Sequence, residues 1–232
     1  KNPIYWEATL TEAGNIVSLG YMAFGKNFGT HGKTLFGIDY AQFIKLSSSL
    51  RKTWQMGFKS QLVGRVAGGI IIPYGNSKVS PFAESFYVGG ANSIRAFTVR
   101  SVGPGRYHVD NSELAYFDRV GDIKLEGNLE YRFNVFGGLY GALFLDAGNV
   151  WNLKNNFDDQ SAQDGVFRLK DFWKQMALGT GFGVRYDLDF FVLRLDLGIG
   201  LHLPYDTGKS GFYNIPKFRD GLGFHFAIGY PF

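Results

Sequence analysis

Asp122-Ile123-Lys124-Leu125-Glu126-Gly127-Asn128-Leu129-Glu130-Tyr131-Arg132-Phe133-Asn134-Val135 is the stretch that decides the fold. Its even positions are all polar or charged, and its odd positions, Gly127 apart, are all apolar. A strand turns successive side chains to opposite faces, so this segment reads as one strand with a charged face and an oily face. A soluble sandwich alternates too. Length separates the two, because soluble strands average ~5–6 residues whereas a tilted strand needs ~9–11 to cross a bilayer. A long strand with charge on one side fits a barrel wall, polar toward the lumen and apolar toward lipid.

The pattern recurs along the chain. Phe191, Leu193, Leu195, Leu197, Ile199, Leu201 and Leu203 oppose Val192, Arg194, Asp196, Gly198, Gly200 and His202. Met176, Leu178, Thr180, Phe182, Val184, Tyr186 and Leu188 oppose Ala177, Gly179, Gly181, Gly183, Arg185 and Asp187. Met56–Ile70 and Phe36–Leu46 are weaker versions. The sequence predicts nine strands, at roughly 3–11, 15–24, 35–48, 55–72, 120–134, 138–150, 175–188, 190–203 and 221–232. Short connections fall near Ala13-Gly14, Ser49–Trp54, Asn134–Gly138 and Asp187–Phe190, and long ones at 25–34, 73–119, 151–174 and 204–220. Short and long alternate, as the turns and loops of outer-membrane barrels do. Tyr5, Trp6, Tyr74, Trp151, Tyr186, Tyr205 and Tyr230 suit interfacial girdles. The predicted class is all-β, an antiparallel transmembrane β-barrel in contact with outer-membrane lipids.

Composition agrees. The 232 residues hold 32 glycines and 17% aromatics but no cysteine, so disulfides and thiolate metal sites are excluded. The formal charge of +4 is dispersed, with no basic run that would track nucleic acid. No apolar stretch approaches the ~18–20 residues of a membrane helix. Lys1–Trp6 lacks the basic start and apolar core of a signal peptide, so a mature piece or fragment is expected.

The longest connection carries Gly89-Gly90-Ala91-Asn92-Ser93-Ile94-Arg95-Ala96-Phe97, then Gly103-Pro104-Gly105. Glu130 lies on a polar face and Asp146 interrupts an apolar strand. A carboxylate facing lipid is costly, so both are expected in the lumen. An arginine folded in beside them can form a bidentate, charge-assisted pair, and Ala96 and the glycines permit close backbone approach. From the residues alone Arg95 reads either as a solvated loop arginine or as one that reaches the lumen and meets Glu130 or Asp146. The chain closes on His225-Phe226-Ala227-Ile228-Gly229-Tyr230-Pro231-Phe232, in which Phe224, Phe226, Ile228, Tyr230 and Phe232 read as one unbroken apolar face.

These segments resemble the BamA/TamA superfamily of outer-membrane assembly and translocation barrels. Ile94, Arg95 and Phe97 match the family's inward-folded loop motif Val-Arg-Gly-Phe/Tyr, with Ala96 in place of glycine. Phe144, Asp146 and Gly148 match its later strand motif Phe-x-Asp-x-Gly, and Glu130 its intervening glutamate, so the resemblance implies that Arg95 reaches the lumen and meets Glu130 or Asp146. His225, Tyr230 and Phe232 fit the C-terminal signal of bacterial outer-membrane proteins, with Ala227 where glycine is usual. The closing Gly-Tyr-Pro-Phe and the run Gly179–Asp187 look closer to the TamA-like branch. The resemblance implies that residues 1–232 are the C-terminal portion of a barrel of about sixteen strands, which needs roughly 300 residues or more. It also implies an inward-folded extracellular loop at about 73–119, a location in the bacterial outer membrane, and insertion or translocation of other outer-membrane proteins without an enzyme active site. Unfolded outer-membrane proteins, upstream periplasmic domains and accessory subunits are the implied partners. A passive porin or outer-membrane transporter is the alternative, since a constriction loop also folds inward.

Other chemistry is weakly signalled. His31, His108, His202 and His225 lack ligand spacing, so no metal or other cofactor is expected. Gly179-x-Gly181-x-Gly183 lies inside an alternating strand with no helix after it and reads as small lumen-facing residues rather than a nucleotide loop. Asp158, Asp159 and Asp164 lack calcium-loop spacing, Asp187 and Asp189 read as turn formers, and no serine has a base at motif spacing, so no catalytic residue is assigned.

Overall fold

The computed structural model describes residues 2–108, 119–155 and 160–232. Asp158 and Asp159 lie outside them, as does part of the 73–119 connection. The strands are β1 (Ile4–Ala13), β2 (Thr34–Leu35), β3 (Ile38–Asp39), β4 (Phe43–Gly57), β5 (Ser60–Pro73), β6 (Ile123–Phe136), β7 (Leu139–Trp151), β8 (Ala177–Asp187), β9 (Val192–His202) and β10 (Leu222–Ile228). Eight of them form one antiparallel sheet in the order β1-β4-β5-β6-β7-β8-β9-β10, with β1 and β10 at its edges, while β2 and β3 pair only with each other.

The alternation read from the sequence sets the two faces. On β6, Glu126, Asn128, Glu130 and Arg132 are buried while Leu129, Tyr131 and Val135 are exposed. On β9, Arg194 and Asp196 are buried and Leu195 is exposed. The exposed apolar row continues through Val66, Leu143, Leu145, Phe182, Val184, Phe224 and Phe226, the outer wall of a membrane barrel. Arg65 of β5 and His225 of β10 both bond the same loop segment, so the sheet wraps around it.

Three predictions about elements are corrected. Residues 15–24 are no strand: α1 (Asn15–Ala23) is a helix, entered through Gly14 in the left-handed conformation. Its residues repeat at three-residue rather than two-residue spacing, with Asn15, Ser18 and Tyr21 bonding inward beside a row of Ile16, Leu19 and Met22. Ala13-Gly14 is consequently no hairpin turn, and β1 pairs with β4 across one long connection, 14–42. The predicted turn at Ser49–Trp54 lies inside β4, and the chain reverses at Phe58-Lys59. Ser49, Arg51 and Thr53 resembled loop residues only because they line the polar inner face. The nine predicted strands thus become eight in the main sheet, and short and long connections still alternate.

The apolar face expected to run unbroken to Phe232 ends at Ile228. Gly229, at φ 85°, turns the chain, and Tyr230 and Phe232 enter the lumen. Trp151 is fully buried, with its Nε1 donating to Gln175 Oε1 at 2.6 Å, so it is no girdle residue. Tyr205 packs on an internal cluster instead of facing lipid. That cluster is the main apolar core: Val88, Ile94, Ala96, Phe97 and Val102 of the long connection meet Val150, Ala177, Leu203 and Ile215.

The face assignment is testable at mid-strand. Leu145→Arg, on the lipid side of β7, is expected to lose about 2–4 kcal/mol of stability in urea titrations of vesicle-folded protein. Ser49→Arg, on the lumen side of β4, is expected to lose less than about 1 kcal/mol.

Candidate functional site: a buried arginine in the lumen

Residues 89–97 form a tight loop. Gly89 and Gly90 adopt φ of 98° and 90°, where an added Cβ would strike the Thr98 carbonyl or the Val99 side chain. The Gly90 N–H donates to the Phe97 carbonyl at 2.8 Å, and the Ser93 N–H donates to the Gly90 carbonyl at 3.1 Å. Ser93 Oγ accepts from the Gly89 N–H and donates to Glu126 at 3.0 Å, tying the loop to β6.

Arg95 stands at the apex with no exposed surface. Its Nε and NH2 donate to the two oxygens of Asp146 at 2.8 and 2.9 Å, a bidentate pair, and its backbone N–H donates to Asp146 Oδ2 at 3.0 Å. NH1 donates to Glu130. The guanidinium carbon lies 3.6 Å from the centroid of the Phe144 ring, a cation–π contact in a desolvated setting. Burial disfavours the cation, but Asp146 and Glu130 more than offset it and hold the Arg95 pKa above its ordinary value.

The sequence motifs meet at this point. Phe144 stacks on the guanidinium, Asp146 clamps it, and Gly148 leaves room for Ile94, whose Cδ1 would lie 3.2 Å from a Cβ placed there. Phe97 and Ala96 are buried in the internal cluster. His225 Nε2 lies 2.8 Å from the Arg95 carbonyl, and since that oxygen only accepts, the assigned tautomer carries its proton on Nε2. The Tyr230 ring lies 4.2 Å from the Arg132 guanidinium, and the Phe232 ring lies 5.5, 5.7 and 5.9 Å from those of Arg65, Arg95 and Arg132. Gly103-Pro104-Gly105 makes a second anchorage, where the Gly105 N–H donates to the Val150 carbonyl at 2.7 Å and Asn149 Nδ2 donates to the Gly105 carbonyl at 2.9 Å.

Sequence reasoning missed the rest of the network. Glu130 also accepts from Arg132 Nε at 2.6 Å and from Arg185 NH2 at 3.0 Å. Arg185 NH1 donates to Asp196 at 2.5 Å. Asn128 Nδ2 bridges the Ser93 carbonyl and Asp146, Arg65 binds Glu126, and Arg194 NH2 donates to Asn92 at 2.6 Å. The available signal was placement: each of the strand residues except Arg65, whose face of β5 is otherwise Val63, Ala67, Gly69 and Ile71, sits on the polar side of an alternating segment.

The loop backbone rests on glycines. A Cβ at Gly198 or Gly223 would come within 2.2 or 2.3 Å of the Arg95 carbonyl oxygen, and one at Gly179 within 2.4 Å of the Ala96 Cβ. Strands β8, β9 and β10 thus present a floor without side chains, on which Arg95 and Ala96 lie flat.

Two outcomes follow. Arg95→Ala strands buried carboxylates, a change worth about 3–5 kcal/mol, and is expected to expose residues 78–108 to trypsin in vesicle-folded protein that otherwise resists it. Gly198→Ala keeps every charge and is expected to release the same loop at about 1–3 kcal/mol, because a backbone must move. Tryptic maps matching the parent protein in both variants would contradict this seating.

Residues 20–232 match the Omp85 superfamily domain. The chain is 36% identical over 114 residues to the human "Sorting and assembly machinery component 50 homolog", covering 48% of this chain and 24% of that protein. It is 32% identical over 128 residues to "Outer membrane protein assembly factor BamA" of Neisseria meningitidis serogroup B, covering 51% and 15%. With the BamA of Nitratidesulfovibrio vulgaris it shares 28% identity over 201 residues, covering 85% and 22%. The chain therefore spans less than a quarter of each of these relatives. In fold it is similar to the crystal structure of BamA from Haemophilus ducreyi lacking POTRA domains 1–3, with a TM-score of 0.54 at 18% identity, covering 80% of this chain and 35% of that one.

Proposed function

Because the chain belongs to the Omp85 superfamily, we propose that it is the C-terminal part of a barrel that inserts or translocates other outer-membrane proteins, with no enzyme activity of its own. The observation that carries this reading is the occupied lumen. Arg95, Glu130, Asp146, Arg185 and Asp196 have about 1% exposure or less behind a seated loop. A passive porin needs an open aqueous path past its constriction, and a desolvated salt-bridge network is a poor lining for one. The names of the relatives, which describe assembly factors and assembly machinery, point the same way.

In this reading the clients are unfolded outer-membrane proteins, and periplasmic domains with accessory subunits act together with the barrel. The 89–97 loop is the element that sets the state of the lumen, held by Glu130 and Asp146. His225, Tyr230 and Phe232 belong to the same device, joining the last strand to the loop and to the lumen arginines. We place the protein in a bacterial outer membrane. The match to a bacterial relative over 85% of the chain, beside 48% for the human one, supports that choice.

Depletion of the intact protein from its own cells tests the function. The expected result is accumulation of other barrel proteins in unfolded, protease-sensitive form, restored by the parent gene and not by Asp146→Asn. Normal barrel assembly on depletion, together with a large solute-selective conductance of the purified protein in planar bilayers, would establish the porin instead.

A further inference from the structure

The connection between β1 and β4 has the polarity of its helix reversed relative to a helix in water. Asn15, Ser18 and Tyr21 bond toward the protein: Asn15 Oδ1 accepts from Gln42 Nε2 at 3.0 Å and from Tyr74 Oη at 2.8 Å, Ser18 Oγ lies 2.7 Å from Tyr40 Oη and 2.9 Å from Gln42 Oε1, and Tyr21 Oη bonds the Thr34 carbonyl. Lys33 is buried beneath, its Nζ donating to Ser18 Oγ and the Phe28 carbonyl. The opposite side is apolar and bare: Ile16 is 85% exposed, Leu19 56%, Met22 49% and Phe24 88%.

Strand parity says which side of the wall this helix occupies. The β4–β5 ladder continues one step past Phe43 and Pro73 through the bond from the Tyr74 N–H to the Gln42 carbonyl. Phe43 and Ile71 are buried on the inner face, so Gln42 and Tyr74, of opposite parity, project outward with Ile44, Leu46 and Ile72. The helix bears on Gln42 and Tyr74. It therefore lies outside the barrel at the long-connection rim, its bare apolar row continuous with the lipid-facing wall.

The β2–β3 hairpin supplies an independent observation. Leu35 pairs with Ile38, leaving Phe36-Gly37 as a two-residue turn with φ of 52° and 82°. Such turns favour Asn-Gly, because a bulky residue at positive φ is strained. The strained position here holds a phenylalanine that is 96% exposed, with Ile38 beside it at 73%. From Ala13 to Ile38 there is no acidic residue, the exposed Asp39 at the base of the hairpin being the first, and Lys26 is exposed beside Tyr21.

We propose that α1 and the β2–β3 hairpin form a lipid anchor on the outer rim of the barrel. Ile16, Leu19, Met22 and Phe36 insert among the acyl chains of the adjoining leaflet, and Lys26 sits at the level of the lipid phosphates. A helix of about 13 Å lying in the interface plane, apolar side to the chains and cation to the headgroups, is the geometry of interfacial helices. The polar stripe that would face water in a free interfacial helix is here satisfied by Gln42, Tyr40 and Tyr74, which fixes its rotation.

Nitroxide labels test this in the intact protein reconstituted in vesicles of phosphatidylcholine and phosphatidylglycerol. The chain has no cysteine, and any outside residues 1–232 is replaced by serine. Labels at Leu19→Cys and Phe36→Cys are expected to favour collision with lipid-soluble oxygen over an aqueous nickel chelate severalfold more than a label at Ser210→Cys on another long connection. A label at Leu145→Cys on the outer wall reports membrane embedding separately. With Leu145→Cys oxygen-accessible, chelate preference at positions 19 and 36 would overturn the anchor, and so would shielding from both reagents, which would mean protein covers the patch. Chelate preference at 145 as well would overturn the barrel's membrane embedding, and the anchor with it.

Discussion

Arg95 paired to Asp146 and Glu130 is the interaction on which the rest of the interior depends. A guanidinium removed from water is stable only where its donors are met, and here the side chain finds two carboxylates while its own backbone N–H shares one of them. The converse matters equally. Glu130 receives three arginines, Arg95, Arg132 and Arg185, from a loop and two strands, so the strands need the loop's charge as much as the loop needs theirs. Polar groups inside and apolar groups outside make this an inverted protein, and the helix at the rim follows the same inversion, bonding the wall with asparagine, serine and tyrosine.

Charge holds the loop, but shape admits it. The floor under Arg95 and Ala96 is built of glycine α-carbons from three strands. Side chains elsewhere on those strands do opposite work: Arg185 and Asp196 rise beside the floor to complete the charge network. Setting a row of glycines (Gly179, Gly181 and Gly183; Gly198 and Gly200) next to charged residues (Arg185; Arg194 and Asp196) along the inner faces of β8 and β9 thus gives one face two functions, a flat seat and a polar wall.

Much of this was legible in the sequence. The even-odd split of Asp122–Val135 gave the faces, and the two lumen carboxylates followed from the cost of placing them in lipid. The failures share a cause. Ser49, Arg51 and Thr53 looked like a turn because polarity ordinarily marks loops, whereas on a lumen face it marks the interior. The segment 15–24 looked like a strand because its neighbours were strands, and only the three-residue rows of Asn15/Ser18/Tyr21 and Ile16/Leu19/Met22 separate the two. The inward turn at Gly229 is a backbone event that hydropathy does not register. Which lumen charges pair with which was not legible either, since alternation fixes a face but not the partner across the barrel.

The seat of the loop also sets an order in time. Arg95 is separated by 35 residues from Glu130, 51 from Asp146 and 130 from His225, and Asn92 by 102 from Arg194. The entropy of closing such loops grows with separation, and contacts this distant in sequence form late in folding. The floor beneath the apex comes from β8, β9 and β10, all later in the sequence than Arg95. The loop therefore has its seat only where those three strands are paired side by side. Seating of the loop reads out the pairing of β8, β9 and β10 with one another.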